Sequence, residues 1–211
     1  IHKYTFRKYK IKTVENKHTH LVPEELEQLE RLSLTDKHMK LQKSLDAFLF
    51  CCYAGMRYSD FTNLSKKNIV DINQETWLIY KSVKTGTEVR LPLYLLFAGK
   101  GIVILNKYRN NLENFFRLRD NSNINKDLII IAKLAGLSKK ISFHTARHTN
   151  ATLLIYNGVN ITTVQKLLGH KSVKTTQVYT NIMDMTIVHD LEKIKQAALG
   201  IKKKTDNSFN K

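Results

Sequence analysis

A chain of 211 residues with 42% apolar side chains, nine Phe and nine Tyr can bury a sizeable core, which excludes a disordered polymer. Lys and Arg total 35 against 18 Asp and Glu, and a net charge of +17 points to a polyanionic partner. Nucleic acid fits best, ahead of an anionic membrane, a merely basic or ribosome-associated protein being the plain alternative, while no apolar run is long enough to span a bilayer and no signal-peptide core is present.

Residues 1–20 are basic and polar without a period and read as a linker or extended arm. The start at Ile1 rather than Met leads to the expectation that an upstream domain has been cut away. Pro23, followed by acids and by Leu26, Leu29 and Leu32 on one stripe, predicts a helix. A second helix is expected from roughly Met39 to Ala54, apolar almost all round in its C-terminal half and therefore central, with Gly55 as its stop. Cys51 and Cys52, the only cysteines, lie inside it and read as small core residues of a cytoplasmic protein. Arg57 opens a short helical turn, RYSDFTNL.

Residues 69–93 change period. IVDI, TWLIYKSV and EVRLPL predict a small antiparallel sheet with a hairpin at Lys84-Thr85-Gly86, Pro92 marking a strand end. The helical pattern returns from Tyr94 in LLFAGKGIVILNKY, a loop is expected through LRDNSN, and NKDLIIIAKLAG predicts a helix closed by Gly136. Three further helices are expected after Phe143, divided at Gly158 and Gly169, and then an amphipathic segment, MDMTIVHDLEKIKQAALG. The expected fold class is mainly α with a small antiparallel β-sheet (α+β). The expected organisation is an arm at 1–20, a folded domain at 21–200 and a disordered basic tail at 201–211.

His144 and Arg147 stand three apart and share a helix face. A neutral His accepts a proton, and the Arg fork matches two phosphate oxygens. Alone, such a pair is as readily a surface ion site or a cap. His148 points elsewhere and reads as structural. Asn160 caps a helix ending at Leu168-Gly169-His170, where the glycine turn is expected to leave His170 exposed. A C-cap histidine facing the helix dipole is the plain alternative. Tyr179 follows in TTQVYT, where a half-buried packing tyrosine is the ordinary reading.

Together the series Arg57, Lys84, His144-x-x-Arg147, Gly169-His170, Tyr179 resembles the tyrosine recombinase (phage integrase) family. The local wording agrees: AGMRYSDFTNL, a lysine in a hairpin, HTARHTNATLL, GVNITTVQKLLGH and TTQVYT. The KTG hairpin and FHTARHT look most like integrases of mobile elements in Bacteroides-type bacteria. The resemblance implies the tyrosine recombinase catalytic-domain fold for residues 21–200 and a missing N-terminal core-binding domain that would close on DNA.

The resemblance also implies roles. Tyr179 attacks a phosphodiester to give a 3′-phosphotyrosyl link; Arg57, Arg147 and His170 hold the phosphate oxygens; Lys84 protonates the leaving 5′-oxygen; His144 manages the tyrosine proton. Lys81 and Arg90 compete for the place of Lys84. Asp60 would orient the cluster, a surface acid being its plain alternative. No metal and no cofactor is implied. The implied partners are double-stranded DNA attachment sites, a homotetramer in the synaptic complex and a DNA-bending accessory protein. The segment after Tyr179 either docks in trans on a neighbour or packs in cis. The implied location is cytoplasmic, at the bacterial nucleoid. Two rivals stand beside this: a helix-turn-helix regulator built on ITTVQKLLGHKSVKTTQVYTN, and a type IB topoisomerase.

Overall fold

The computed structural model describes residues 19–179. At its centre lies α2 (Gln42–Ala54), buried on every side from Ser44 to Ala54. Its all-round apolar sequence requires this, and its buried polar residues Ser44 and Asp46 are hydrogen-bonded. Ser44 Oγ donates to Asp127 at 2.6 Å, and Asp46 accepts from Lys107 Nζ at 2.9 Å and the Tyr108 hydroxyl at 2.8 Å. The segment expected to start this helix is instead a 3₁₀ turn, Asp36–Leu41.

The other helices wrap around it. They are α1 (Pro23–Glu30), α4 (Lys100–Lys107), α6 (Asn121–Leu134) and α7 (Phe143–Tyr156), the last packed along much of α2. Leu26 and Leu29 of α1 are buried, whereas Leu32 lies past the helix end and is only partly covered. The short α3 (Tyr58–Thr62) and α5 (Leu112–Phe116) bring Phe61 and Phe115 against Phe50 and Phe116 against Phe61, with Phe61 and Phe115 ring centroids 5.3 Å apart edge to face.

Two expectations for the middle of the chain fail locally. LRDNSN is not a loop throughout: Asp120 accepts from the Asn123 amide at 3.0 Å and starts α6 at Asn121. The helical pattern from Tyr94 is interrupted at Phe97 and Ala98, whose φ of 48° and 54° kink the chain before α4.

The sheet is as expected. Strands β1 (Ile69–Ile72), β2 (Glu75–Lys81) and β3 (Glu88–Pro92) are antiparallel in that order, with Ile72 opposite Glu75 and Lys81 opposite Glu88. Leu78, Tyr80, Val89 and Leu91 point into the core. Beyond α7, α8 (Ile161–Leu168) packs on β3, and α9 (Lys174–Gln177) folds back on α8. The described residues are therefore mainly helical with one small sheet. None of their helices is long and apolar enough to cross a membrane. Most of the arm, the MDMTIVHDLEKIKQAALG segment and the tail lie outside the described residues.

Candidate active site

The left-handed Gly55 (φ +66°) ends α2, and the chain turns at once so that Arg57 caps α3. Arg57 Nη1 donates to Ser82 Oγ at 3.3 Å and sits 3.5 Å from Asp60. Asp60 is only 2% exposed, so it is not a surface acid. Its carboxylate accepts from the Val83 amide at 2.8 Å and from Ser82 Oγ, tying α3 to the base of the β2–β3 hairpin.

Lys84 stands exposed at the tip of that hairpin. The next residue fixes the tip: Thr85 Oγ1 donates to the Gly169 carbonyl at 3.1 Å. Gly169 has φ +63°, and a Cβ there would stand 2.6 Å from Val89 Cγ2, so the close approach of β3 to the end of α8 requires glycine at this position. Of the competing cations, Arg90 pairs with Glu88 at 3.5 Å, whereas the charge of Lys84 is felt at His170.

Arg147 of α7 is 1% exposed. It donates from Nη1 to the Gly55 carbonyl at 2.7 Å and from Nη2 to the Leu168 carbonyl at 2.6 Å. The guanidinium thereby joins the negative C-terminal ends of α2 and α8, a favourable place for a cation. Burial, and then the charge of Arg57, pull its pKa down to about 10, which still leaves it protonated near neutrality.

His170 is 7% exposed, which corrects the expectation of an exposed residue at the turn. The reason is α9: it folds over the turn, and the buried Thr176 hydroxyl meets His170 Nδ1 at 2.9 Å. Burial, then Arg147, Arg57 and Lys84, lower its pKa to about 4, so the ring is a neutral hydrogen-bonding group.

Tyr179 is likewise buried, and its hydroxyl lies 3.0 Å from Nδ1 of His148. Burial raises the phenol pKa, while Arg147 and Arg57 pull it back. Contrary to the expectation that it points elsewhere, His148 is part of the site. Its ring meets Tyr179 on one side and, at 4.4 Å and edge-on, the ring of the exposed His144 on the other. The signal for this was available in the i, i+4 spacing of His144 and His148 on one helix.

Arg57, Lys84, Arg147, His170 and Tyr179 thus form one electrostatically coupled cluster, with His144 connected to it through His148. Such a site can hold an anion against two guanidiniums and present a phenol beside it. Among the described residues no three His, Cys, Asp or Glu side chains are grouped to hold a metal ion. The thiols of Cys51 and Cys52 are fully buried in the core and pushed up by that burial.

The sequence profile of the Phage integrase family matches residues 20–185, which include every residue of this cluster. The chain belongs to the phage integrase family. Similar members include tyrosine recombinase XerC of Rickettsia prowazekii (strain Madrid E), 30% identical over 159 residues, or 71% of this chain and 49% of that protein. A tyrosine recombinase of Pseudothermotoga lettingae is 30% identical over 181 residues, 83% of this chain and 60% of that protein. The chain spans about half to three-fifths of the length of these phage integrase relatives. Among solved structures, XerA recombinase superposes with a TM-score of 0.64 at 24% identity, covering 83% of this chain and 64% of that one. The Tn1549 transposon integrase (aa 82-397), in complex with circular intermediate DNA, gives 0.58 at 18% identity over 77% of this chain and 60% of that one. At these identities the likeness establishes the shared phage integrase fold.

Proposed function

We propose that the chain carries the catalytic domain of a site-specific DNA recombinase that cuts and rejoins strands through a 3′-phosphotyrosyl intermediate without a metal. The observation that carries this reading is the convergence at one place of Tyr179, held 3.0 Å from His148 Nδ1, with the buried Arg147 of the same α7 and with Arg57, both of which lower the phenol pKa against burial. Arg57 and Arg147 neutralise the non-bridging oxygens of the scissile phosphate as charge builds on them. His170, held neutral, adds a hydrogen bond, and Lys84 on its hairpin delivers a proton to the leaving 5′-oxygen. The phenol oxygen bonds to phosphorus and the 5′-oxygen departs. The covalent link conserves the bond for rejoining to another strand's hydroxyl. Asp60 positions Arg57 and the hairpin rather than touching DNA.

The net charge of +17 supports double-stranded DNA attachment sites as the partner, and the lysine-hairpin and FHTARHT wording supports an element of the Bacteroides type that the enzyme integrates or excises. The working assembly is a homotetramer on paired sites, with a DNA-bending accessory protein, at the nucleoid. An apolar cleft of about 190 Å³ lies beside Tyr179, lined by His20, Leu21, Pro23, Thr152 and Tyr156, and among the described residues its buried Thr152 hydroxyl has no hydrogen-bond partner. It suits the segment that follows Tyr179 in a neighbouring protomer.

The test is strand exchange. The full-length protein, given two duplexes bearing the repeats that flank its gene, is expected to yield recombinant products. Relaxation of supercoiled plasmid without exchange would instead indicate a topoisomerase, and binding without cleavage a regulator.

A further inference from the structure

The described site contains one histidine that the roles above leave unused, and it is the one that touches the nucleophile. His148 is 6% exposed, and its Nδ1 lies 3.0 Å from the Tyr179 hydroxyl. This is the reach a base needs to the proton it removes. His144, on the same helix, is exposed and packs edge-on against His148 at 4.4 Å. We propose that His148 is a catalytic residue of the cleavage step, the base that takes the Tyr179 proton, and that His144 acts on the nucleophile through it. The inference rests on the phosphotyrosyl reading of the site.

The step balances. The Tyr179 O–H bond breaks and its proton moves to His148 Nδ1, leaving the bonding pair on the phenol oxygen. That oxygen forms the bond to phosphorus as the P–O5′ bond breaks, and the departing oxygen takes a proton from Lys84. Rejoining reverses each transfer. The arrangement also explains why a buried phenol beside two arginines needs a specific acceptor. The arginines favour the phenolate once formed, but as cations they cannot accept a proton.

Single-turnover formation of the covalent adduct on a nicked attachment-site duplex tests this, using the full-length protein and its His148→Asn and His148→Gln variants. Either amide oxygen can still accept the phenol hydrogen bond, but neither can take up a proton. DNA affinity and thermal stability are measured alongside, so that a folding defect in one variant is recognised and the other is used. The expected result is adduct formation slowed by about 100-fold or more at unchanged DNA affinity. A substrate with sulfur in place of the bridging 5′-oxygen separates base from acid, because a thiolate leaves without protonation. It is expected to restore Lys84→Ala and leave the His148 variants slow. Rates within about threefold of wild type, or recovery of the His148 variants on the sulfur substrate, would overturn the proposal. Absence of an adduct with the wild-type protein itself would remove the phosphotyrosyl reading on which it stands.

Discussion

Arg147 does two tasks with one side chain. Its fork holds the last carbonyls of α2 and α8, and its charge lowers the pKa of His170 and opposes the rise caused by burial at Tyr179. The consequence for His170 is measurable. Its folded pKa, about 4, lies below the ordinary 6.5, so between those values the unfolded chain binds the proton and the folded chain does not. The stability contributed by this residue is therefore present above 6.5 and is lost as pH falls towards about 4. Thermal melts of wild type and His170→Gln across that window should show the steeper loss in wild type; parallel curves would contradict the assignment. At this scale the sequence was highly legible for identity and poorly legible for environment. The order Arg57, Lys84, His144, Arg147, His170, Tyr179 could be read directly. The burial of His170 could not, because it depends on α9 folding back over the turn. The contact of His148 with Tyr179 depends on the same fold, and only its i, i+4 spacing from His144 is local.

Elements meet in this protein where glycine or a short polar staple permits it. A Cβ on Gly55 would stand 2.6 Å from Asn150 Oδ1 and 2.8 Å from Leu168 Cδ2, at a φ of +66° that disfavours any side chain. Gly55→Ala should cost about 2–4 kcal/mol in urea unfolding, from backbone strain and overpacking together. Because the Gly55 carbonyl also holds Arg147, adduct formation should slow as well. A cost below about 0.5 kcal/mol would mean that the α2–α7–α8 junction is looser than described. The strong periodic signals were readable: the buried α2, the three strands and the helices divided at Gly158 and Gly169. The weak ones were not. LRDNSN carries residues that suit loops and helix caps equally, and only the fit of Asp120 to the Asn123 amide decides between them. The kink at Phe97 and Ala98 places non-glycine residues in left-handed backbone, which no local preference announces.

On the scale of the whole molecule, the site belongs to no single segment. Arg57 comes from the end of the central helix, Lys84 from a hairpin, His148 and Arg147 from α7, His170 from the α8 turn and Tyr179 from the chain beyond α9. Four long-range hydrogen bonds gather their elements: Asp60 with Val83, Thr85 with Gly169, Arg147 with Gly55, and Arg147 with Leu168. Composition pointed to a polyanionic partner, and motif order made the family legible. The staples were not, since each joins residues far apart in sequence. The proposed function requires that this gathered cluster make Tyr179 a nucleophile towards a DNA phosphate. The most direct measurement is incubation of the full-length protein with a nicked duplex carrying its attachment site, denaturation in SDS, and peptide mapping of any retained adduct. The predicted result is a covalent protein–DNA species mapped to Tyr179 and lost in Tyr179→Phe. An adduct that persists in Tyr179→Phe, or none with the wild-type protein on any attachment site, would contradict it.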